Sequence, residues 1–431
     1  MHASFGLSEE PRVKDLKLGT AGQRLDLSAS RRDFLIRAGT AAAASLLGFE
    51  ARPSAASAID LPFANGRREL VSNFPQKGAM ILQRTQPPML ETPFEVFDQG
   101  VFTPNDRFYV RWHLAHVPTD IDTKTFRLKV RGEVARPLNL SLHELIHDFP
   151  ACEIAAVNQC SGNSRGLFAP RITGGQWANG AMGNALWRGV KLKDLLDRAG
   201  VNRGAVQVRF RGLDAGVLPQ TPDFLKSLEL DHCRNDEVMI AYAMNGAALP
   251  LLNGFPLRLV VPGWYATYWV KMLSDIEVLA KPDDNFWMSK AYLIPNTPGA
   301  NIVPGQQGVK MIPINKMLPR SFVTNLKNDQ KIARGHPLTL RGIAFGGDTG
   351  VSQVKVSTDA GANWQECDLG TNHGKYSFRQ WQRAVKFESP GTQQVWVKAV
   401  NYRGESQPDK ANWNAGGYMR NVIESTTVQV A

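Results

Sequence analysis

At 431 residues the chain is too long for one ordinary core, so two domains and a tail are expected. Apolar residues make up 43% and charged residues 21%, an ordinary composition with ample side chains for real cores. The formal charge of +11 is spread over singly scattered Lys and Arg, which argues against nucleic acid and for a small anionic substrate.

The N-terminus reads as an address. Ser30-Arg31-Arg32-Asp33-Phe34-Leu35 precedes a mildly apolar, Ala-rich stretch from Ala38 to Phe49, and Ala56-Ser57-Ala58 supplies small residues for cleavage. Twin arginines before a weak apolar stretch resemble a Tat signal, so residues 1–58 are expected to be a cleaved Tat signal peptide that engages the Tat export machinery. The mature chain is then expected in the periplasm, with no membrane span. Export in the folded state also hints at a cofactor loaded beforehand.

Residues 59–105, rich in Pro, Gly and Asn, read as an irregular lead-in. Phe108–His113, Phe126–Gly132 and Val206–Arg211 look like short strands. Between them Ser141-Leu142-His143-Glu144 reads as a capped helix start and Leu192–Ala199 as an amphipathic helix. This mixture predicts an α+β domain over residues 106–300. The remainder, 301–431, reads as all-β, with strands over Leu338–Ala344, Val351–Ser357, Gln394–Asn401 and Ser425–Val430. Ser357–Gly361 reads as a hairpin turn with Trp364 behind it as a core aromatic, and an immunoglobulin-like sandwich is the expected fold.

The chain carries four cysteines, Cys152, Cys160, Cys233 and Cys367. None forms C-x-x-C, so zinc and thioredoxin-like chemistry lack support, and without C-x-x-C-H no c-type haem is attached. Cys160 stands in Asn158-Gln159-Cys160-Ser161-Gly162-Asn163-Ser164-Arg165-Gly166, a run of turn formers with a cation five residues on. These residues alone leave two readings open: a reactive or metal-ligating thiolate, or a small buried apolar side chain.

The loop Cys160-Ser161-Gly162-Asn163 with Arg165 resembles the C-[AS]-G-N-x-R loop of the sulfite oxidase family. Six further matches follow the family order. They are Phe108-Tyr109-Val110-Arg111-Trp112-His113; Trp177 with Gly180-Ala181 through Val190; Arg211-Gly212-Leu213-Asp214; Ala241-Tyr242-Ala243-Met244-Asn245-Gly246; Gly254-Phe255-Pro256-Leu257-Arg258; and Val261-Pro262-Gly263 with Trp269-Val270-Lys271. The resemblance spans roughly residues 95–430. It implies a molybdopterin-binding domain followed by an immunoglobulin-like domain of the dimerisation type, and one molybdenum–molybdopterin per chain with Cys160 as the metal ligand. It also implies cofactor contacts at Tyr109, Val110, Arg111, Trp112, His113, Asp214, Asn253, Arg258, Trp269, Val270 and Lys271. Asn253 stands where eukaryotic members place a His, and an amide cannot carry charge toward a phosphate. Arg111, Arg165, Arg420, Tyr292 (by its spacing from Trp287) and Trp177 match the family's catalytic positions.

The implied reaction is oxidation of sulfite to sulfate, with electrons leaving to an external c-type cytochrome, since no haem module is recognisable. A homodimer is expected. Rival readings are direct use of oxygen, a Tat-exported reductase of the methionine sulfoxide reductase type, and a non-enzymatic interaction module. The second of these lacks the C-terminal sandwich.

Overall fold

In the computed structural model, which describes residues 57–431, the segment expected to be irregular is a meander of short strands. Ala58–Asp60, Arg67–Val71, Met80–Arg84, Met89–Glu91 and Val110–Arg111 pair in sequence order. Pro62, Gly66, Pro75, Gly78, Pro87 and Pro88 fall between these strands. Strands of two to five residues are too short for alternation to stand out, which is why turn residues dominated the sequence reading. Met80 and Leu90 are fully buried against Val110, Trp112, Leu252 and Met272. The strand expected over Phe108–His113 contracts to Val110–Arg111, and the chain leaves the ladder at Trp112. The export signal expected over residues 1–58 lies outside the described residues except for Ser57 and Ala58. Among the described residues no helix is long and apolar enough to cross a membrane.

The α+β expectation holds. Ser141 caps the helix Leu142–Asp148 with a reciprocal Glu144 contact, as its spacing predicts. Leu192–Ala199 is a helix with the expected bounds, burying Leu192, Leu195, Leu196 and Ala199, and Gly200 closes it with φ +69°. Two sheets carry this domain. In the first, Asp275–Leu279 pairs parallel to Leu128–Gly132 and antiparallel to Gln207–Arg211. In the second, Ala151–Gln159 and Met182–Lys191 form a hairpin in unbroken register from Ala151↔Val190 to Gln159↔Met182. Met239–Met244 pairs with the hairpin's second strand and with Arg258–Val260. That sheet delivers Cys160, immediately beyond Gln159, and Arg258 toward one region.

The C-terminal domain is the expected two-sheet sandwich. Arg320–Val323, Leu338–Phe345, Arg379–Val385 and Asp368–Leu369 form one layer. Gln330–Ile332, Glu424–Val430, Gly391–Asn401, Val351–Ser357 and Gln365–Glu366 form the other. Alternate residues Val395, Val397 and Ala399 point inward and are fully buried, each valine contributing about 1.5–3 kcal/mol. The core tryptophan is Trp381, not Trp364. Trp364 is half-buried, with the Lys398 ammonium 3.9 Å from its ring centroid, because an exposed turn cannot carry its ring between the layers.

The two domains interlock through backbone as well as side chains. Val157 N–H donates to the Tyr376 carbonyl (2.8 Å) and Met419 N–H to the Ser161 carbonyl (3.0 Å). Asn184 Nδ2 donates to Ser377 Oγ (2.9 Å). Arg320 Nη2, from the sandwich, donates to Glu424 Oε1 (2.6 Å) and Ser164 Oγ (3.1 Å), so it ties the C-terminal strand to the Cys160 loop.

Candidate active site

Cys160 sits where the hairpin ends. Its N–H donates to the Ala181 carbonyl (2.9 Å), which closes the loop mouth, and Asn163 N–H returns to the Cys160 carbonyl (3.0 Å). Asn163 Oδ1 accepts from Ala181 N–H (2.9 Å), so the turn formers lock the loop from both sides. The thiol lines a pocket with Tyr109, Arg111, His113, Leu252, Asn253, Arg258, Ala266, Thr267, Lys271 and Tyr292. The other three cysteines are free thiols away from this cavity. Burial pushes Cys367 up to about 12 and Cys233 well above the usual range, so both are protonated thiols at neutral pH.

The cavity wall is cationic. Burial and the neighbouring Arg258 and Arg111 push Lys271 down to about 7, and burial pushes Arg258 down to about 10. Trp112 lies 4.4 Å beneath the Lys271 ammonium, and Trp187 and Trp269 face the Arg258 guanidinium at 5.3 and 5.9 Å. Trp112, Val110, Trp269 and Val270 thus form the floor under the cations rather than the lining itself, each only 1% exposed. Asp214 is buried beside Lys271 and Arg111. Burial raises its pKa while both cations lower it.

Several donors here lack a partner among the described residues: Arg111 Nη1, Arg165 Nε, Arg258 Nε and Asn158 Nδ2 are all buried. Crowded cations with orphaned donors are costly unless an anion fills the space. Among the described residues no group of three or more His, Cys, Asp or Glu gathers into a metal cage. One thiol facing a field of cations fits a metal carried by an anionic organic cofactor that brings most of its own ligands.

The same pocket holds a further arrangement. His113 Nε2 and Tyr292 Oη are 2.6 Å apart, and Arg111 stands 6.0 Å from the Tyr292 ring. Burial together with Arg111, Lys271 and Lys226 holds His113 well below its usual pKa, so the imidazole is neutral. It stacks on Phe224 at 3.6 Å between centroids. The Arg165 guanidinium lies over Gly162, where a Cβ would come within 2.6 Å of Nη1. Trp177 is buried behind this loop, accepting from Gly166 N–H (3.0 Å) through its carbonyl.

Arg420 Nη1 donates to Glu424 (3.4 Å) and its Nε is buried without a partner among the described residues; neither Arg420 nor Arg165 is among the residues that line the cavity. Asn253 lines the cavity, but its amide is committed: Nδ2 donates to the Tyr109 carbonyl (3.0 Å) and Oδ1 accepts from Lys77.

Lys77 was missed by the sequence reading. It is 7% exposed, donates to the Asn105 (2.8 Å) and Phe108 (2.9 Å) carbonyls, and brings an amine near Arg258 from the lead-in segment, its pKa pushed down to about 7 chiefly by burial. Glu91 was missed too. It is 1% exposed and accepts from Gly180 N–H (2.9 Å), Ala178 N–H (3.2 Å) and Gln83 Nε2 (2.7 Å), so it braces the strand end that closes the Cys160 loop. Burial pushes Glu91 up to about 7 against three hydrogen bonds that favour the ionised form. Between pH 4.5 and 7 the folded chain therefore keeps a proton that the unfolded chain has released, and stability falls as pH rises through that window. Glu91→Gln cannot ionise. Relative to it, the wild type is expected to lose about 3 kcal/mol between pH 4.5 and pH 8, measured by urea unfolding. An equal wild-type-to-variant difference at both pH values would contradict this.

Comparison with known proteins agrees with the geometry. Residues 113–287 match the family described as "Oxidoreductase molybdopterin binding domain" and residues 311–430 the "Mo-co oxidoreductase dimerisation domain". The mitochondrial sulfite oxidase of Rattus norvegicus is 32% identical over 383 residues, covering 83% of this chain and 67% of that one. The chain belongs to the sulfite oxidase family. Its length spans about two thirds of the animal relatives it matches. The sulfite oxidase of Arabidopsis thaliana is 29% identical, over 83% of this chain and 96% of that one. Among solved structures, the sulfane dehydrogenase SoxCD of Paracoccus pantotrophus shares the fold, with a TM-score of 0.68 at 23% identity over 80% of this chain and 85% of that one. Cys160, Arg258 and Lys271 line the same cavity of this chain.

Proposed function

We propose that the chain oxidises sulfite to sulfate at a molybdenum–molybdopterin centre ligated by Cys160. The observation that carries this reading is one thiol facing Arg111 and a wall of buried cations whose donors lack partners. When bound, the cofactor supplies an oxygen-transfer centre and stores two electrons. Arg258 and Lys271 hold its phosphate, with the Lys77 amine behind Asn253. Arg111 and Arg165 bind the sulfite oxyanion by charge-assisted hydrogen bonds. His113 and Tyr292 hold a proton between them beside the anion. The balance is sulfite plus water giving sulfate, two protons and two electrons. The electrons pass singly to an external c-type cytochrome. The twin-arginine segment supports a Tat-exported, periplasmic enzyme, and the match of the sandwich to a dimerisation domain supports a homodimer.

Arg165→Gln is expected to raise the KM for sulfite roughly ten- to hundredfold, the loss of one charge-assisted contact. Steady-state kinetics with saturating cytochrome c measure it. An unchanged KM would place the anion elsewhere. Arg420→Gln, paired with Glu424 away from the cavity, is expected to change KM much less.

A further inference from the structure

We propose that Tyr418 is a positioning residue of the sulfite site, through which the C-terminal domain holds Arg165 and Tyr292 in place. This rests on the sulfite reading above. The Tyr418 ring stacks on Tyr292 with centroids 5.2 Å apart and planes at 24°. Tyr292 itself is held at φ +57°. On its other side, the Arg165 guanidinium carbon lies 5.2 Å from the ring centroid. Arg165 Nη2 donates to the Gly416 carbonyl (3.1 Å), and a Cβ on Gly417 would come within 2.7 Å of Arg165 Nε. Gly416, Gly417 and Tyr418 therefore grip the guanidinium by its face and one edge. Nε, buried and without a partner among the described residues, is left over for an anion.

The grip is rigid. Asn414, 1% exposed, accepts from Tyr418 N–H (3.1 Å) and donates to the Tyr418 carbonyl (2.8 Å), and Met419 N–H donates to the Ser161 carbonyl beside Cys160. An arginine held this way keeps its fork oriented before the anion arrives, and little side-chain freedom is lost on binding. The aromatic face suits a guanidinium and would hold no anion itself. The C-terminal domain thus contributes an aromatic clamp on an arginine that the first domain supplies.

The test is Tyr418→Leu and Tyr418→Phe in the cofactor-loaded enzyme, with molybdenum content and Tm recorded for each. Tyr418→Leu is expected to raise the KM for sulfite roughly tenfold, with kcat changed much less, and to weaken sulfate binding in calorimetry by a similar factor. Tyr418→Phe keeps the ring and is expected to restore both values to within about threefold. Placing progressively fluorinated phenylalanines at 418 preserves shape while draining the ring face, and KM should climb stepwise. Combining Tyr418→Leu with Arg165→Gln should add little to the effect of Arg165→Gln alone, because the one acts through the other. A wild-type KM in Tyr418→Leu, a flat fluorination series, or additive effects would overturn the proposal. A wild-type enzyme that ignores sulfite would instead overturn the reading beneath it.

Discussion

Cys160→Ser is expected to cut sulfite-dependent turnover by more than about a hundredfold while leaving the fold intact. A serine alkoxide is a harder and far more basic donor than a thiolate, so at neutral pH a soft metal loses its matched protein ligand. The loop survives because its closure is made by backbone: Cys160 N–H to the Ala181 carbonyl and Asn163 N–H to the Cys160 carbonyl. Removing one sulfur from a residue only 8% exposed leaves no large void. Turnover with cytochrome c and the thermal midpoint of the purified variant are the measurements. Activity within tenfold of wild type would remove Cys160 from the metal.

Arg320→Met is expected to cost about 3 kcal/mol, the low end for breaking a buried ion pair. Arg320 is 1% exposed and bridges three groups from separate segments: Glu424 (2.6 Å), Ser164 Oγ (3.1 Å) and Asn179 Oδ1 (3.4 Å). Removing it leaves the Glu424 carboxylate, whose side chain is 14% exposed, facing only the more distant Arg420. The Arg420 contact and the two Arg320 nitrogens already lacking partners keep the loss from being larger. A second substitution, Glu424→Gln, is expected to recover part of it, because the stranded negative charge is gone while the amide oxygen still accepts from Arg420. Urea unfolding of the single and double variants measures both. Because Ser164 stands on the Cys160 loop at φ +68°, the single variant should also raise the KM for sulfite.

What the sequence disclosed follows from the range of the interactions involved. The Cys160 loop, Arg111, Arg258 and Lys271 stand in short runs that match the motifs of the sulfite oxidase family, and that resemblance singled them out; the residues around Cys160 alone left two readings open. The capping box at Ser141 and the helix Leu192–Ala199 are equally local, and both were legible. Lys77 was not, because its partners lie 28, 31 and 176 residues away and nothing beside it marks it as buried. Glu91 was hidden for the same reason, as a carboxylate whose backbone donors come from residues 178 and 180. The lead-in segment looked irregular because its strands are short and its turns rich in Pro and Gly.

The central claim is that Cys160 and its surrounding cations hold a molybdenum–pterin centre that takes electrons from sulfite. Its most direct test is anaerobic addition of sulfite to the purified protein after molybdenum and pterin have been quantified. The account predicts one molybdenum and one pterin per chain, a Mo(V) resonance that develops on partial reduction, and reduction of added cytochrome c in step with sulfate formed. A protein purified with its full complement of molybdenum and pterin that gives neither resonance nor cytochrome reduction with sulfite would contradict it.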